Sequence, residues 1–269
     1  MNRPQPIRIV AEALLLAGIF LSVWFGVYSI VPKDWSYKPR LSLEDEKKLG
    51  DMLVDNYLQG EQRVTNPEAL DMVYAIGNRL QEKIPGSQYN YTFYIVKSPL
   101  ANAFTLPGGN IVIFSGLIEM ADTPEELAGV LGHEMGHAEN RHVVDRLIKE
   151  FGITAIGAIL LGDKGGMIGG LLQKAISTSF DRDQEREADD FAIKTLVSCG
   201  IKPSYFADFF DKLDKESSGL EDGLEMISTH PDNGERIAKA RNYKVPASFK
   251  EVPFSADEVD LKRLKELVQ

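Results

Sequence analysis

Residues 129 to 142 read GVLGHEMGHAENRH, with His133 and His137 four apart and Glu134 beside the first. On a helix each residue advances about 100°, so the two histidines lie about 40° apart on one face, one turn separated. Their imidazoles can therefore meet one ion. Zinc suits them, being borderline-soft, taking nitrogen and oxygen ligands, and keeping a position for water in catalytic sites. Glu134 projects beside such an ion without being needed as a ligand, which suits a general base acting on bound water. A pair of helical histidines in an unrelated role would look the same, so the third ligand decides between the two.

The metzincin arrangement would need glycine at 140 and histidine at 143, and the chain has Asn140 and Val143. That class is excluded. His142 lies about 140° around the helix from His137 and reads as structural. The segment DRDQEREADDFAIKTLVSCG, residues 181 to 200, is the evident supplier. Glu185 and Asp189 share one helical face, so one carboxylate can bind metal while the other orients a ligating histidine. Glu187 and Asp190 read as solvated charges.

These residues need elements to hold them. Thr123 as N-cap, Pro124 at the first helical position and Glu126 as partner form a capping box, predicting a helix from there through His133 to about Glu150. Upstream, Ser42 with Asp45, and Asn66 with Pro67, predict two more helices, the second running to about Lys83. Residues 89–96 and 110–115 are rich in β-branched and aromatic side chains and predict two strands, separated by KSPLANAFTLPGG. Residues 151–176 are apolar and glycine-rich, broken by GDKGG. Each half is too short to span a bilayer, so a helical hairpin packed on the core, a dip into lipid or a cover over the site are the alternatives. Further helices are expected from near Arg182 to Cys199, from Pro203, and from Ser255, where Glu258 completes another box.

The whole chain sets the context. At 269 residues and 43% hydrophobic content it can bury one sizeable core. With 30 Lys+Arg against 40 Asp+Glu, the formal net charge of -10 argues against a grip on nucleic acid. A single cysteine, Cys199, rules out an internal disulfide or a cysteine-rich zinc site. From Ile9 to Val31 Glu12 is the only charged residue, and that stretch spans about 34 Å as a helix, enough to cross a bilayer. It is longer than the about 7–15 apolar residues of a cleaved signal, and no clear cleavage site follows, so an uncleaved anchor is expected. The short N-terminal tail and large following domain place the N-terminus inside and the domain across the membrane. Gly18, Ser22 and Gly26 form a ladder of small residues that leaves pairing of two such helices open.

HEMGH at 133–137 followed by EREAD at 185–189 resembles the gluzincin metallopeptidases of family forty-eight, which include the HtpX, CAAX prenyl, mitochondrial Oma-type and BepA-like proteases. NAFTLPGGNIVIFSGLI from Asn102 and STHPDNGERI from Ser228 agree with the same family, so the resemblance covers about residues 42 to 242. It implies an α+β fold, a mostly helical zincin-like metalloprotease domain with a small β-sheet, plus one N-terminal transmembrane helix. The expected divisions are a tail (1–8), an anchor (9–31), a linker (32–41), the peptidase domain (42–245) and a helical extension (246–269). The resemblance assigns one Zn2+ per chain to His133, His137 and Glu185, with Glu134 as the base. Asp189 becomes the partner of a ligating histidine. Arg182 matches an arginine that usually follows serine, but Asp181 stands in that serine's place. His230 matches a histidine over the metal that either holds the site shut or assists the oxyanion. Arg236 falls nearby, to bind substrate or oxyanion or only to form a salt bridge. Asn102, Ala103 and Phe104 fall in an edge-strand shelf where a polypeptide would add in extended form.

The implied activity is zinc-dependent hydrolysis of internal peptide bonds in unfolded or misassembled proteins, by an enzyme of the bacterial inner membrane whose domain faces the periplasm. The alternative is a chaperone-like assembly factor with a latent protease site gated by His230. The expected partners are polypeptide substrates and the lipid bilayer, with no nucleic acid.

Overall fold

In the computed structural model, residues 6–30, 40–162, 166–177, 179–217, 230 and 233–269 are described. The elements run α1 (Pro6–Ile30), α2 (Leu43–Leu58), β1 (Arg63–Val64), α3 (Pro67–Gln81), β2 (Thr92–Val96), β3 (Ala103–Leu106), β4 (Asn110–Phe114), α4 (Ser115–Met120), α5 (Pro124–Glu139), α6 (His142–Phe151), α7 (Ile153–Leu160), α8 (Met167–Ser177), α9 (Arg182–Ser198) and α10 (Pro203–Ser217). Helices at Asn233–Arg241 and Leu261–Val268 follow. The chain divides into two compact units, Met1–Pro39 and Arg40–Gln269.

The first unit holds α1, whose Leu14, Leu16, Phe20, Leu21, Trp24 and Phe25 are all exposed. Among the described residues no helix is long and apolar enough to cross a membrane.

In the second unit, helix starts follow local capping chemistry. Ser42, Asn66 and Thr123 each accept from the backbone N–H three residues on, at the N-termini of α2, α3 and α5. The four-stranded sheet has the order β1-β2-β4-β3, with β2 and β4 parallel and the outer pairings antiparallel. Its side chains alternate between two cores. Ile111 and Ile113 join a core with α3, α5, α9 and α10, while Val112 and Phe114 join a second core with α2, α6, α7 and α8. Both faces of the sheet are thus covered, and its inner strands read as continuous hydrophobic runs.

Three expectations are corrected. The stretch between the two predicted strands contains a strand of its own: β3 pairs with β4 in antiparallel register, Ala103 opposite Ile113 and Leu106 opposite Asn110. Pro107–Gly109 is the tight turn joining them, with Gly108 at φ 76, a conformation glycine takes at no steric cost. The helix predicted from Thr123 to Glu150 is two helices, because Arg141 adopts the left-handed conformation at φ 56 and ends the run begun at Pro124. The Arg141 guanidinium donates to the carbonyl of Leu41 and pairs with buried Glu46 at 2.6 Å, contacts that hold this unfavourable backbone in place. At the C-terminus the Ser255–Glu258 box forms, but as a turn; the helix starts at Leu261 with Asp260 as its cap.

Candidate metal centre

The centre is built where α5 crosses α9, and glycine makes the crossing close. A Cβ at Gly136 would stand 3.0 Å from backbone atoms of Ala188, and one at Gly132 would stand 3.5 Å from Ala192. Small residues on both helices bring the backbones together, so carboxylates on α9 reach histidines on α5. Asp181 caps α9 and exchanges hydrogen bonds with Gln184 in a capping box.

His133, Glu134 and His137 are fully buried, and Glu185, Asp189, His230 and Arg236 nearly so. Among the described residues, His133, His137, Glu185 and His230 each offer a ligand atom, and these atoms all lie within 4.8 Å of one another. The Nε2 atoms of His133 and His137 are 3.0 Å apart. Glu185 lies 3.3 Å from His137 Nε2 through Oε1 and 3.5 Å from His133 Nε2 through Oε2. His230 Nδ1 is 3.0 Å from Glu185 Oε1 and 3.2 Å from His133 Nε2. Ligands about 2.0–2.1 Å from a tetrahedral ion stand about 3.3 Å from one another, so the spacing and the N/O donor set fit a zinc-sized cation. Glu134 adds a second sign of fit. Its Oε2 accepts from Thr105, but its buried Oε1 has no hydrogen-bond partner and faces His230 Nε2 at 3.6 Å. A buried carboxylate oxygen left open in this way asks for a water or a cation.

A ring of supporting contacts fixes these groups. His133 Nδ1 lies 2.9 Å from Asp189 Oδ1, within ion-pairing reach but without the alignment of a full hydrogen bond. Arg236 donates from Nε to Asp189 at 2.6 Å, from Nη2 to Glu185 and from Nη1 to Asn233. Phe180 stacks on His137 at 3.8 Å between centroids, and the Arg146 guanidinium lies 4.1 Å from the other partner of that stack, the Phe180 ring.

The electrostatics match a cation site. Burial would raise the Glu185 carboxyl, but His230, His137 and His133 together hold it far below the usual range. Asp189 is also raised by burial, and Arg236 and His133 outweigh that and keep it low. Burial pushes His137 well below an ordinary histidine, so it is neutral and ready as a ligand. His230 is raised, because Glu185 and Glu134 outweigh its desolvation.

The sequence-predicted residues separate into two groups. His133, Glu134, His137, Glu185, Asp189, His230 and Arg236 converge. Arg182 is exposed on the first turn of α9, at the rim of a small cavity that Glu185, Asp189 and Arg236 also line. Ala103 and Phe104 lie in edge strand β3 and Asn102 just before it, all with buried side chains; the Phe104 ring packs edge-on against Tyr57 and Phe114. Thr105, Phe180 and His142 adjoin the cluster although the spacing does not point to them. Strand parity places Thr105 one residue from Phe104 on the opposite face, toward α5, and Phe180 occupies the apolar position before an N-cap. His142 is a correction: the break at Arg141 brings its Nδ1 to 2.9 Å from His137 Nδ1, and its Nε2 to 3.1 Å from Glu187, whose side chain is exposed. Ser228, Thr229, Pro231 and Asp232 of the STHPDNGERI stretch lie outside the described residues.

The sequence matches peptidase family M48 over residues 71–244. The beta-barrel assembly-enhancing protease of Yersinia pestis is 32% identical over 215 residues, covering 75% of this chain and 44% of that protein. Metalloprotease LoiP of Escherichia coli (strain K12) is 34% identical over 185 residues, 66% of this chain and 71% of LoiP. The mitochondrial metalloendopeptidase OMA1 of Arabidopsis thaliana is 33% identical over 147 residues, 53% of this chain and 29% of that protein. The chain thus spans less than half the length of the assembly-enhancing protease it matches.

Proposed function

This chain belongs to peptidase family M48, and from that premise we propose that it is a zinc-dependent endopeptidase, held in a membrane by α1, that cleaves internal peptide bonds of unfolded or misassembled envelope proteins. One observation carries the reading: His133, His137 and Glu185 converge in a buried site beside the open Oε1 of Glu134. These three residues would hold the zinc, with Asp189 behind His133. The bound metal supplies a Lewis acid and lowers the pKa of water toward about 7. Glu134 takes the proton from the attacking water and passes it to the leaving amine. Thr105 holds the other oxygen of Glu134, so the base keeps one free. Arg236 spends its donors on Asp189, Glu185 and Asn233, which favours a structural salt bridge over substrate binding.

Strand β3 is the sheet edge nearest the base, and an extended polypeptide adding there would be read by its backbone. Such recognition suits unfolded chains of varied sequence. The relative's printed name, beta-barrel assembly-enhancing protease, supports an envelope setting. Support for the anchor is the apolar run Ile9–Val31 and the exposed leucines and aromatics of α1. The same run sets the proposed divisions of tail (1–8), anchor (9–31) and linker (32–41), ahead of a peptidase domain (42–245) and a helical extension (246–269). The short N-terminal tail favours a periplasmic domain on a bacterial inner membrane.

The test uses the full chain in detergent. Glu134→Gln is expected to keep zinc and lose casein cleavage; cleavage by the purified variant at the native rate would overturn the reading.

A second reading rests on His230. A catalytic zinc keeps a position open, whereas four protein ligands make a closed site. His230 brings the described set to four, which favours a latent protease that mainly assists assembly. His230→Ala would then raise basal casein cleavage, and Glu134→Gln would still rescue a deletion strain.

A further inference from the structure

The two histidines of α5 are supported differently. His133 backs onto the Asp189 carboxylate, whereas His137 backs onto a second imidazole, its Nδ1 lying 2.9 Å from His142 Nδ1. A short N···N contact needs one donor and one acceptor. The far nitrogen of His142 decides which is which, because its Nε2 lies 3.1 Å from Glu187 Oε2. The Glu187 side chain presents a carboxylate oxygen to that nitrogen, and such an oxygen accepts. His142 therefore carries its proton on Nε2 and presents a bare Nδ1. His137 must donate from its own Nδ1, which leaves Nε2, the atom facing Glu185 and His133, with a free lone pair. We propose that His142 is a positioning residue that fixes the tautomer and ring orientation of His137 for metal, and that Glu187 sets the tautomer of His142.

The backbone is shaped for this contact. On an unbroken helix His142 would point about 140° away from His137. The left-handed turn at Arg141 carries it back, and Phe180, stacked on His137 and packed against His142, keeps the two rings in place. Partners behind a ligating histidine commonly tune metal affinity about 10- to 100-fold.

The inference rests on the proposed zinc site at His137. Its test is zinc affinity of the full chain at neutral pH, by competition with a chromophoric chelator, which needs no turnover. His142→Leu is expected to weaken zinc binding about 10- to 100-fold, while His142→Asn, whose Oδ1 replaces the Nδ1 acceptor, restores most of it. Two variants at Glu187 probe the tautomer from the surface. Glu187→Gln keeps an acceptor and should bind zinc nearly as the native chain does. Glu187→Lys offers only a donor, reverses both tautomers, places a proton on His137 Nε2 and should bind zinc as weakly as His142→Leu.

Native affinity in His142→Leu or Glu187→Lys would overturn the inference, as would His142→Asn binding as weakly as His142→Leu. If melting of the metal-free protein shows that the His142 variants do not fold, the two exposed Glu187 variants decide it. A native chain that binds no zinc would instead overturn the reading beneath.

Discussion

The Thr105 hydroxyl lies 2.8 Å from Glu134 Oε2 and 2.8 Å from the backbone carbonyl of the same residue, tying edge strand β3 to the turn of α5 that carries the proposed base. Substrate pairing along β3 would therefore act on the strand that orients the proton acceptor.

Thr105→Val removes that donor at nearly constant volume. It is expected to lower kcat about tenfold, a loss of about 1.4 kcal/mol in the transition state, with KM changed much less. Thr105→Ser keeps the hydroxyl and should retain most of kcat. Steady-state cleavage of a fluorogenic peptide measures both; a loss in Thr105→Ser with Thr105→Val at the native rate would mean that the methyl group matters and the hydrogen bond does not.

Arg236 pairs with two buried acids, and its removal leaves Asp189 with His133 alone and Glu185 with the surrounding histidines. Arg236→Met is expected to cost about 3–5 kcal/mol in urea unfolding of the metal-free protein at pH 7. The pH dependence has a definite sign. Glu185 and Asp189 are held below their ordinary carboxyl values in the fold. Their contribution is therefore complete above the unfolded values of about 4 and is lost as pH falls toward the folded ones. The stability gap between native and variant should stay constant from pH 7 to pH 5 and narrow below about pH 4. A gap that widens with acid would show that the carboxyls are not depressed.

The α5–α9 crossing gives a paired prediction on neighbouring glycines. At Gly136 an added methyl meets Ala188 backbone at 3.0 Å, whereas at Gly132 it meets Ala192 at an ordinary 3.5 Å. Gly136→Ala is expected to destabilise by about 1–3 kcal/mol and to lower bound zinc, since α9 must retreat with Glu185. Gly132→Ala should be neutral or stabilising by up to about 1 kcal/mol, from helix propensity. Thermal melting with zinc analysis separates the two positions.

The histidine pair, the base and the α9 acids were legible in sequence, because a helix converts spacing directly into a shared face. Caps at Ser42, Asn66 and Thr123 were legible for the same reason, each being satisfied within three residues of itself. Strand β3 was not, since AFTL is too short for a pattern and is a strand by virtue of pairing with β4. The end of α5 was hidden too: a left-handed Arg141 is disfavoured locally and persists through Glu46, 95 positions earlier in the chain. That break turns His142 from a residue facing away into the partner of His137. Which groups are able to bind a cation and accept a proton follows from side-chain type at helical spacing, and so is written in the chain. That His230 joins the cluster, that Arg236 pairs with the acids and that Thr105 holds Glu134 follows from long-range packing, which no local periodicity encodes.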